Sequence, residues 1–239
     1  MIDYPKAFDT INHEVLLKKL VEFNFSNSTI KILMSYLTNR HQFVQIEDKT
    51  SKELPVQFGV SQGSILCPIL FNLYVADLPN CIKAKSIQYA DDTTLYESSK
   101  EANIPSVIND LEHDLTSLSS WSNDKILMFN SDKLQFVSFS KSHGLFSYLV
   151  RSDNKSIPHG KSEKLFGVTF DECLNWSEHI NNVLKPCYGT LRTLKNFQRF
   201  TPFKVRKSLA EALILSKLNY CNVVYGQLPQ YMLKRPQRV

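Results

Sequence analysis

The chain has 239 residues, 43% hydrophobic and 11% aromatic, which is enough apolar surface for a packed core and excludes wholesale disorder. Only seven glycines exclude collagen-like and propeller readings, and five cysteines without a CxxC pair argue against a disulfide scaffold or zinc ribbon and for a reducing compartment. The net charge of +5 is unevenly spread: residues 1–150 hold 13 basic and 17 acidic side chains, residues 151–239 hold 15 and 6. The basic last third suits a polyanionic partner or, equally, a solvated lysine-rich helix face. No apolar run reaches the roughly 18 residues of a membrane span, and the first residues lack a signal-peptide stretch. An intracellular protein is expected, in cytoplasm or nucleus, with no membrane partner.

Asn12 is placed to cap a helix over 13–23, with Val15, Leu16, Leu20 and Phe23 on one face. Asn27 or Ser28 would cap a second helix through Leu37, using Ile30, Leu33, Met34 and Leu37. Residues 43–46 and 54–58 alternate like two strands around a polar turn. Residues 64–78 read as a nearly all-apolar, buried helix with Pro68 in its first turn. Residues 86–89 and 93–96 read as strands joined by a tight turn at Asp91-Asp92. A helix over 105–124 spaces Val107, Leu111, Leu115 and Leu118 on one face. Strands follow at 134–139 and 165–170. The pattern then turns helical, over 179–197 and 202–220, the second with Val205, Leu209, Leu213 and Leu218 inward. An α+β body over 1–174 and a basic helical region over 175–239 are expected.

Three features concentrate unusual chemistry. Asp3 opens the chain, and Asp91-Asp92 sit at the tip of an apolar hairpin. Adjacent ionised carboxylates repel and call for a cation or a basic partner. Mg²⁺ takes oxygen ligands, often one or two carboxylates plus substrate phosphates. Asp-Asp is also a common turn dipeptide, because Asp hydrogen-bonds its own backbone. Between the acids, Gly59 and Gly63 bracket Gln62 ahead of the buried helix. Such a loop can approach an anionic ligand closely, or serve as an ordinary strand-to-helix turn.

The strings DYPKAFDTINHEVLL, GVSQGSILCPILFNLYVADLP and YADDTTLY, in this order, resemble the reverse transcriptases of non-LTR (LINE-like) retrotransposons. NSDKLQFVSFS, LFGVTFDECLNWSEHI and KLNYCNVVYG resemble later segments of the same family. The resemblance implies a right-hand polymerase palm, an antiparallel sheet packed on helices, followed by a mostly helical thumb. It implies RNA-directed DNA polymerase activity, with an RNA template, a DNA primer and deoxynucleoside triphosphates as partners. Asp3 and Asp91, with Asp92 beside them, would hold two Mg²⁺ ions. Phe8 would lie under the incoming sugar and exclude a 2′-hydroxyl, or simply fill the core. Gln62 and Gly63 would pack near the nucleotide and template base. Lys133 would approach the leaving pyrophosphate, or be an ordinary solvated lysine. Phe166 and Gly167 would grip the primer end, or form a core strand. Lys185, Arg192, Lys195 and Arg199 would follow the template–primer backbone, through salt-sensitive and sequence-independent contacts.

The sequence also departs from the family pattern. Only Met1 and Ile2 precede Asp3, where the family carries its fingers and the lead-in of the first palm strand. Pro5 stands where a small polar residue is usual, Ser61 replaces a proline, Cys67 a glycine and Phe166 a leucine. A chain truncated at its N-terminus is expected, with fingers missing, and inactive by itself. The rival expectation is a decayed or repurposed, non-enzymatic nucleic-acid-binding fragment.

Overall fold

Met1 and Ile2 are extended and pair on both sides. The Ile2 N–H donates to the Thr93 carbonyl at 2.8 Å and the Thr93 N–H donates back at 3.1 Å. On the other side the Gln135 N–H donates to the Met1 carbonyl at 3.3 Å, and the Met1 ammonium donates to the Gln135 carbonyl at 2.8 Å. The structure is a computed structural model that describes residues 1–140, 148–153, 155–225 and 234.

Helix α1 (His13–Glu22) starts where Asn12 caps it, its side chain accepting the Glu14 and Val15 N–H groups at 2.9 and 3.2 Å. Leu16 and Leu20 are buried, but Phe23, expected on the same face, lies past the helix end and is 45% exposed. Helix α2 (Asn27–Leu37) is capped by Ser26 rather than Asn27 or Ser28. Ser26 is extended, so its hydroxyl can reach back to accept the Thr29 N–H at 3.2 Å. Leu33 and Leu37 face inward and Met34 outward. The next strands are distributed differently from expectation. β1 (Arg40–Gln42) pairs antiparallel with β4 (Leu54–Val56), and the short hairpin β2 (Gln45–Ile46) and β3 (Lys49–Thr50) lies between them in sequence.

Helix α3 (Leu66–Val75) is the spine of the first unit. Cys67, Leu70, Phe71, Tyr74 and Val75 are all buried, as its apolar sequence requires. β5 (Lys85–Tyr89) and β6 (Asp92–Tyr96) form the expected hairpin. Helix α4 (Ile104–Asp124) buries Leu115, Leu118 and Trp121. The expected strand over 134–139 is not a continuous strand; Gln135 pairs with Met1 and Phe136 sits in an isolated bridge. β7 (Val150–Ser152) and β8 (Lys155–Ile157) close this unit, which comprises Met1–Phe136 and Tyr148–Pro158.

Two polar knots hold its helices. Lys19 on α1 has a side chain only 3% exposed and is paired with Asp77 just past α3, which also meets Lys125 at 3.2 Å. Burial alone would raise the Asp77 carboxyl, but the two ammonium groups outweigh it and hold it below the usual carboxylate range. The Tyr74 hydroxyl accepts the Asn12 N–H at 3.4 Å and donates to the Lys125 carbonyl, tying α3 to the start of α1 and the end of α4. Asp114, buried on α4, accepts the Lys83 and Ala84 N–H groups ahead of β5 at 2.8–3.1 Å.

The second unit holds the described residues of 137–147 and 159–239. β9 (Ser162–Leu165) and β10 (Val168–Asp171) form a hairpin. It belongs with the helices that follow, because the Asp171 carboxylate accepts the Cys173, Asn175 and Trp176 N–H groups at 2.8–3.2 Å and leads directly into α5 (Ser177–Asn196). His179 on α5 accepts the Thr169 N–H through Nδ1 at 3.2 Å. The expected helix over 202–220 is three pieces: α6 (Phe203–Ala210), a π-helical turn (Glu211–Leu215) and α7 (Ser216–Asn219). The wider turn shifts the helical register. Ile214 is buried, while Val205, Leu209 and Leu213, expected inward, are exposed. α8 (Asn222–Tyr225) buries Tyr225 against Ile180 and Leu184. Gly226 and nearly all later residues of the expected thumb lie outside the described residues. Among the described residues no helix is long and apolar enough to cross a membrane.

The Lys19–Asp77 contact gives a direct stability expectation. Asp77→Ala strands a buried ammonium and should cost about 3–5 kcal/mol in urea unfolding. Lys125→Ala leaves Asp77 its other partner and should cost about 1 kcal/mol or less.

Candidate active site

Pairing fixes where the acids lie. With Ile2 opposite Thr93, the next residues outward, Asp3 and Asp92, are cross-strand neighbours. Ile2 and Thr93 form the hydrogen-bonded pair, so Asp3 and Asp92 take the position where opposing side chains come closer. Asp91 lies in the two-residue turn between β5 and β6, where Ala90 carries φ 52°. A non-glycine residue held at positive φ is a strained conformation of the kind that collects at functional sites. Burial, then the charges of Asp91 and Asp3, raise the Asp92 carboxyl above its ordinary value.

A cleft of about 360 Å³ opens here, lined by Asp3, Asp92, Asp132, Lys133, Leu134 and Gln135. Lys133 reaches it through a local device. Asn130 caps a single 3₁₀ turn (Ser131–Lys133), its side chain accepting the Asp132 N–H at 3.1 Å. The turn delivers the Lys133 ammonium to the Asp3 carboxylate at 2.8 Å. The neighbouring Asp132 pairs with Lys155 at 2.6 Å. The Asn-x-x-Lys spacing is therefore a cap followed by the side chain it aims.

A second cluster gathers Phe8 and the Gln62 loop. Ala7–Asp9 form a 3₁₀ turn after Pro5 and Lys6, the latter at φ 55°. Pro5 sits in a turn closed by the Ala7 N–H on the Tyr4 carbonyl at 3.2 Å, so its missing N–H costs no ladder bond. Phe8 is half-buried, its ring 4.8 Å from that of Phe71 on α3. The Gln62 amide donates to Asp9 at 2.8 Å. Gly59 is required there: a Cβ would lie 2.8 Å from the Asp9 Cα. Gly63 sits at φ 87° with open space around it. Ser61, in place of the expected proline, accepts Arg40 Nη2 at 2.6 Å, and Tyr36 donates to Ser64 at 2.8 Å.

The first 176 residues match the model of the family described as reverse transcriptase (RNA-dependent DNA polymerase). The chain belongs to the reverse transcriptase family. This bears out the resemblance read from its motifs, and the family is one of nucleotidyltransferases. Among similar proteins is a probable RNA-directed DNA polymerase from transposon BS of Drosophila melanogaster, 29% identical over 81% of this chain and 22% of that protein. The RNA-directed DNA polymerase from mobile element jockey of the same organism is 28% identical over 76% of this chain and 20% of that protein. The Pol polyprotein from retrotransposable element R2 of Popillia japonica is 24% identical over 83% of this chain and 34% of that protein. The chain thus spans about a fifth to a third of the length of these relatives.

The structure gathers some of the expected reverse transcriptase residues and separates others. Asp3, Asp92 and Lys133 line one cleft. Asp91 does not line it, although its charge is felt by Asp92. Phe8, Gln62 and Gly63 form their own cluster and do not line the cleft. Phe166 and Gly167 are the tip of the β9–β10 hairpin. Lys185, Arg192 and Lys195 are exposed on α5 and Arg199 just past it. At about 100° per residue the three on α5 fall within about 80° of arc, one stripe. Among the described residues none of the four takes part in an ion pair within 4 Å.

Asp9, Arg40, Asp132 and Lys155 were missed as site-shaping residues. For Asp9 the spacing was available, because it stands one residue after Phe8 in the first motif. The others meet the site through pairings distant in sequence, which no local pattern signals.

Carboxylate oxygens are the donors that Mg²⁺ takes, and it commonly keeps only one or two of them. Asp3 and Asp92, opposed and crowded by Asp91, fit that chemistry. Among the described residues no three His, Cys, Asp or Glu side chains form a ready-made metal cluster. Lys133 holds Asp3 and so competes with any cation. An exposed pair of this kind contributes about 0.2–1 kcal/mol, so Lys133→Met should bind Mn²⁺ roughly 1.4–5 times more tightly in calorimetric titration.

The raised Asp92 carboxyl also sets a pH dependence. An acid whose folded-state value lies above its unfolded one stabilises the fold at low pH, and that contribution is lost as pH rises through the folded value. Asp92→Asn should therefore melt at a higher temperature than the parent at neutral pH. The difference should close as the pH falls below the ordinary Asp range, about 3.9.

Proposed function

We propose that this chain is part of the reverse transcriptase domain of a non-LTR retrotransposon, built as a palm over 1–174 and a basic helical thumb over 175–239. In this reading it adds deoxynucleotides to a DNA primer on an RNA template. The observation that carries it is the opposition of Asp3 and Asp92 across the Ile2–Thr93 pair, with Asp91 in the adjoining turn. Asp3, Asp91 and Asp92 would hold divalent ions. When bound, these would lower the barrier for the primer 3′-oxygen to bond to the α-phosphorus as pyrophosphate leaves.

The chain's own residues then have distinct tasks. Phe8, anchored on Phe71, presents a ring edge to the sugar of the incoming nucleotide. Gln62, fixed by Asp9, and Gly63, open on its outer side, shape the loop beside the base. Lys133, once released from Asp3, carries a positive charge toward the leaving pyrophosphate. Phe166 and Gly167 meet the primer end. Lys185, Arg192, Lys195 and Arg199 follow the phosphates of the hybrid, read by its backbone and shape.

One observation favours binding over turnover in this chain by itself. The three carboxylates are not gathered as a cluster among the described residues, and Lys133 occupies one of them. The isolated chain should therefore bind an RNA–DNA hybrid and extend a primer poorly. If the four basic residues each meet one phosphate, affinity should fall about 100-fold between 50 and 200 mM salt, from a slope of about −3.6. Removing one of them should lower that slope by about 0.9.

The deciding experiment measures hybrid binding by anisotropy and primer extension with Mg²⁺ on the same preparation. Salt-sensitive binding with weak extension that disappears in Asp91→Asn is the expected result. Absence of binding at low salt overturns the nucleic-acid role. Binding with no incorporation at any enzyme concentration favours a non-enzymatic binding fragment. Vigorous extension by the parent overturns the claim of weak turnover.

A further inference from the structure

The hairpin tip formed by Phe166 and Gly167 is held by a residue 54 positions away. β9 and β10 pair up to Leu165 and Val168, leaving a two-residue loop. Both loop residues lie in the left-handed region, with φ 47° at Phe166 and 82° at Gly167. Two consecutive positive φ values match the turn that suits strand twist. Glycine adopts this conformation freely, while a phenylalanine there persists only where its surroundings hold it.

Tyr220 supplies that hold. Its hydroxyl donates to the Phe166 carbonyl at 2.6 Å. Its ring lies against the other tip residue: a Cβ on Gly167 would come within 3.2 Å of Tyr220 Cε1. Tyr220 is 52% exposed, so filling the core does not explain its placement. Its backbone is itself fixed. It closes α7 through its N–H on the Ser216 carbonyl at 3.1 Å, and Cys221 turns the chain at φ 51°. The Tyr225 hydroxyl lies 3.1 Å from the Tyr220 carbonyl, and the Tyr225 ring is buried 4.7 Å from that of His179. A tyrosine anchored at its backbone and half-open at its ring thus spends its hydroxyl on the carbonyl of a strained turn.

We propose that Tyr220 is a positioning residue for the primer 3′ end. It fixes the direction of the Phe166–Gly167 peptide and adds an exposed ring face beside it, on which a terminal sugar or base can rest. This rests on the reading of the tip as a primer contact. Without the hydroxyl the hairpin keeps its strand pairing, and the Phe166 carbonyl loses this donor, so the Phe166–Gly167 peptide shifts its direction.

The test uses the full chain with an RNA template annealed to a DNA primer carrying 2-aminopurine at its 3′ terminus and an anisotropy label at the far end. Tyr220→Phe keeps the ring and removes only the hydroxyl. Gly167→Ala disturbs the tip from the other side. Melting temperature is measured for each. The expected result is that Tyr220→Phe changes the 2-aminopurine signal of the bound complex, as Gly167→Ala does, with far-end affinity unchanged within about two-fold. If Gly167→Ala changes that signal and Tyr220→Phe does not, the role of Tyr220 is overturned and the tip reading stands. If neither changes it, the tip reading itself falls. If Tyr220→Phe lowers the melting temperature and far-end affinity while the signal of the bound fraction stays the same, Tyr220 is structural only and the proposal is overturned.

Discussion

Ile2 and Thr93 exchange two backbone hydrogen bonds, and in an antiparallel ladder the residues beyond such a pair must face each other. Asp3 and Asp92 are those residues. The pairing brings two carboxylates together whatever their mutual repulsion, and the turn beyond places a third, Asp91, next in sequence. Everything else around the cleft answers that concentration of charge. Asn130 caps a turn whose lysine neutralises Asp3. Lys155 neutralises Asp132 on the same rim. Asp92 has no counter-charge of this kind among the described ion pairs, and burial, then the charges of Asp91 and Asp3, raise its carboxyl. Two carboxylates opposed in this way repel each other, and a cation between them would relieve that repulsion, which is what the proposed metal site requires.

Local chemistry made much of the fold legible. The Asn12 cap, the all-apolar α3 and the apolar spacing of α4 follow from side chains within a turn or two of one another, so the sequence displays them openly. The hairpin around Asp91 was legible for the same reason. Where expectation and structure part, a longer-range force intervenes. The cap of α2 moved one residue earlier, because Ser26 is the residue whose extended backbone lets its hydroxyl reach the third N–H. Residues 134–139 alternate like a strand, yet they pair in pieces: Gln135 exchanges hydrogen bonds with Met1, Phe136 sits in an isolated bridge, and the Ser138 N–H donates to the His159 ring. In the last helices a π turn inserts an extra residue per step and rotates the apolar face away from where a 3.6-residue period would put it.

The site was legible in its residue types and partly hidden in its geometry. The motifs named Asp3, Asp92 and Lys133, and these three line one cleft. They also named Phe8 and Gln62, and the structure links the two through Asp9, a residue with no signal of its own beyond its neighbourhood. Ser61 was read as a departure from pattern, and it proves to be a hydrogen-bond acceptor for Arg40 on β1. Pro5 was read as a departure too, and it lies beyond the paired residues, in a turn that proline suits. A substitution judged against a pattern shows only that something differs; the contact decides whether the difference is tolerated.

The uneven charge of the chain acquires a physical meaning from how each part treats its own charges. In the first unit four basic groups are held in ion pairs: Lys19 and Lys125 on Asp77, Lys133 on Asp3, Lys155 on Asp132. On α5 the basic groups are left unspent, aligned and exposed. Neutralised lysines hold a fold or guard a site; unneutralised ones in a stripe raise the local concentration of a polyanion. Because α5 buries Ile180, Leu184 and Cys187 on one face, its cations are confined to the remaining arc, and there Lys185, Arg192 and Lys195 fall on one line. The single stripe on α5 is what a linear array of phosphates would select. That line is what the proposed nucleic-acid partner would use, through contacts that depend on charge and not on base sequence.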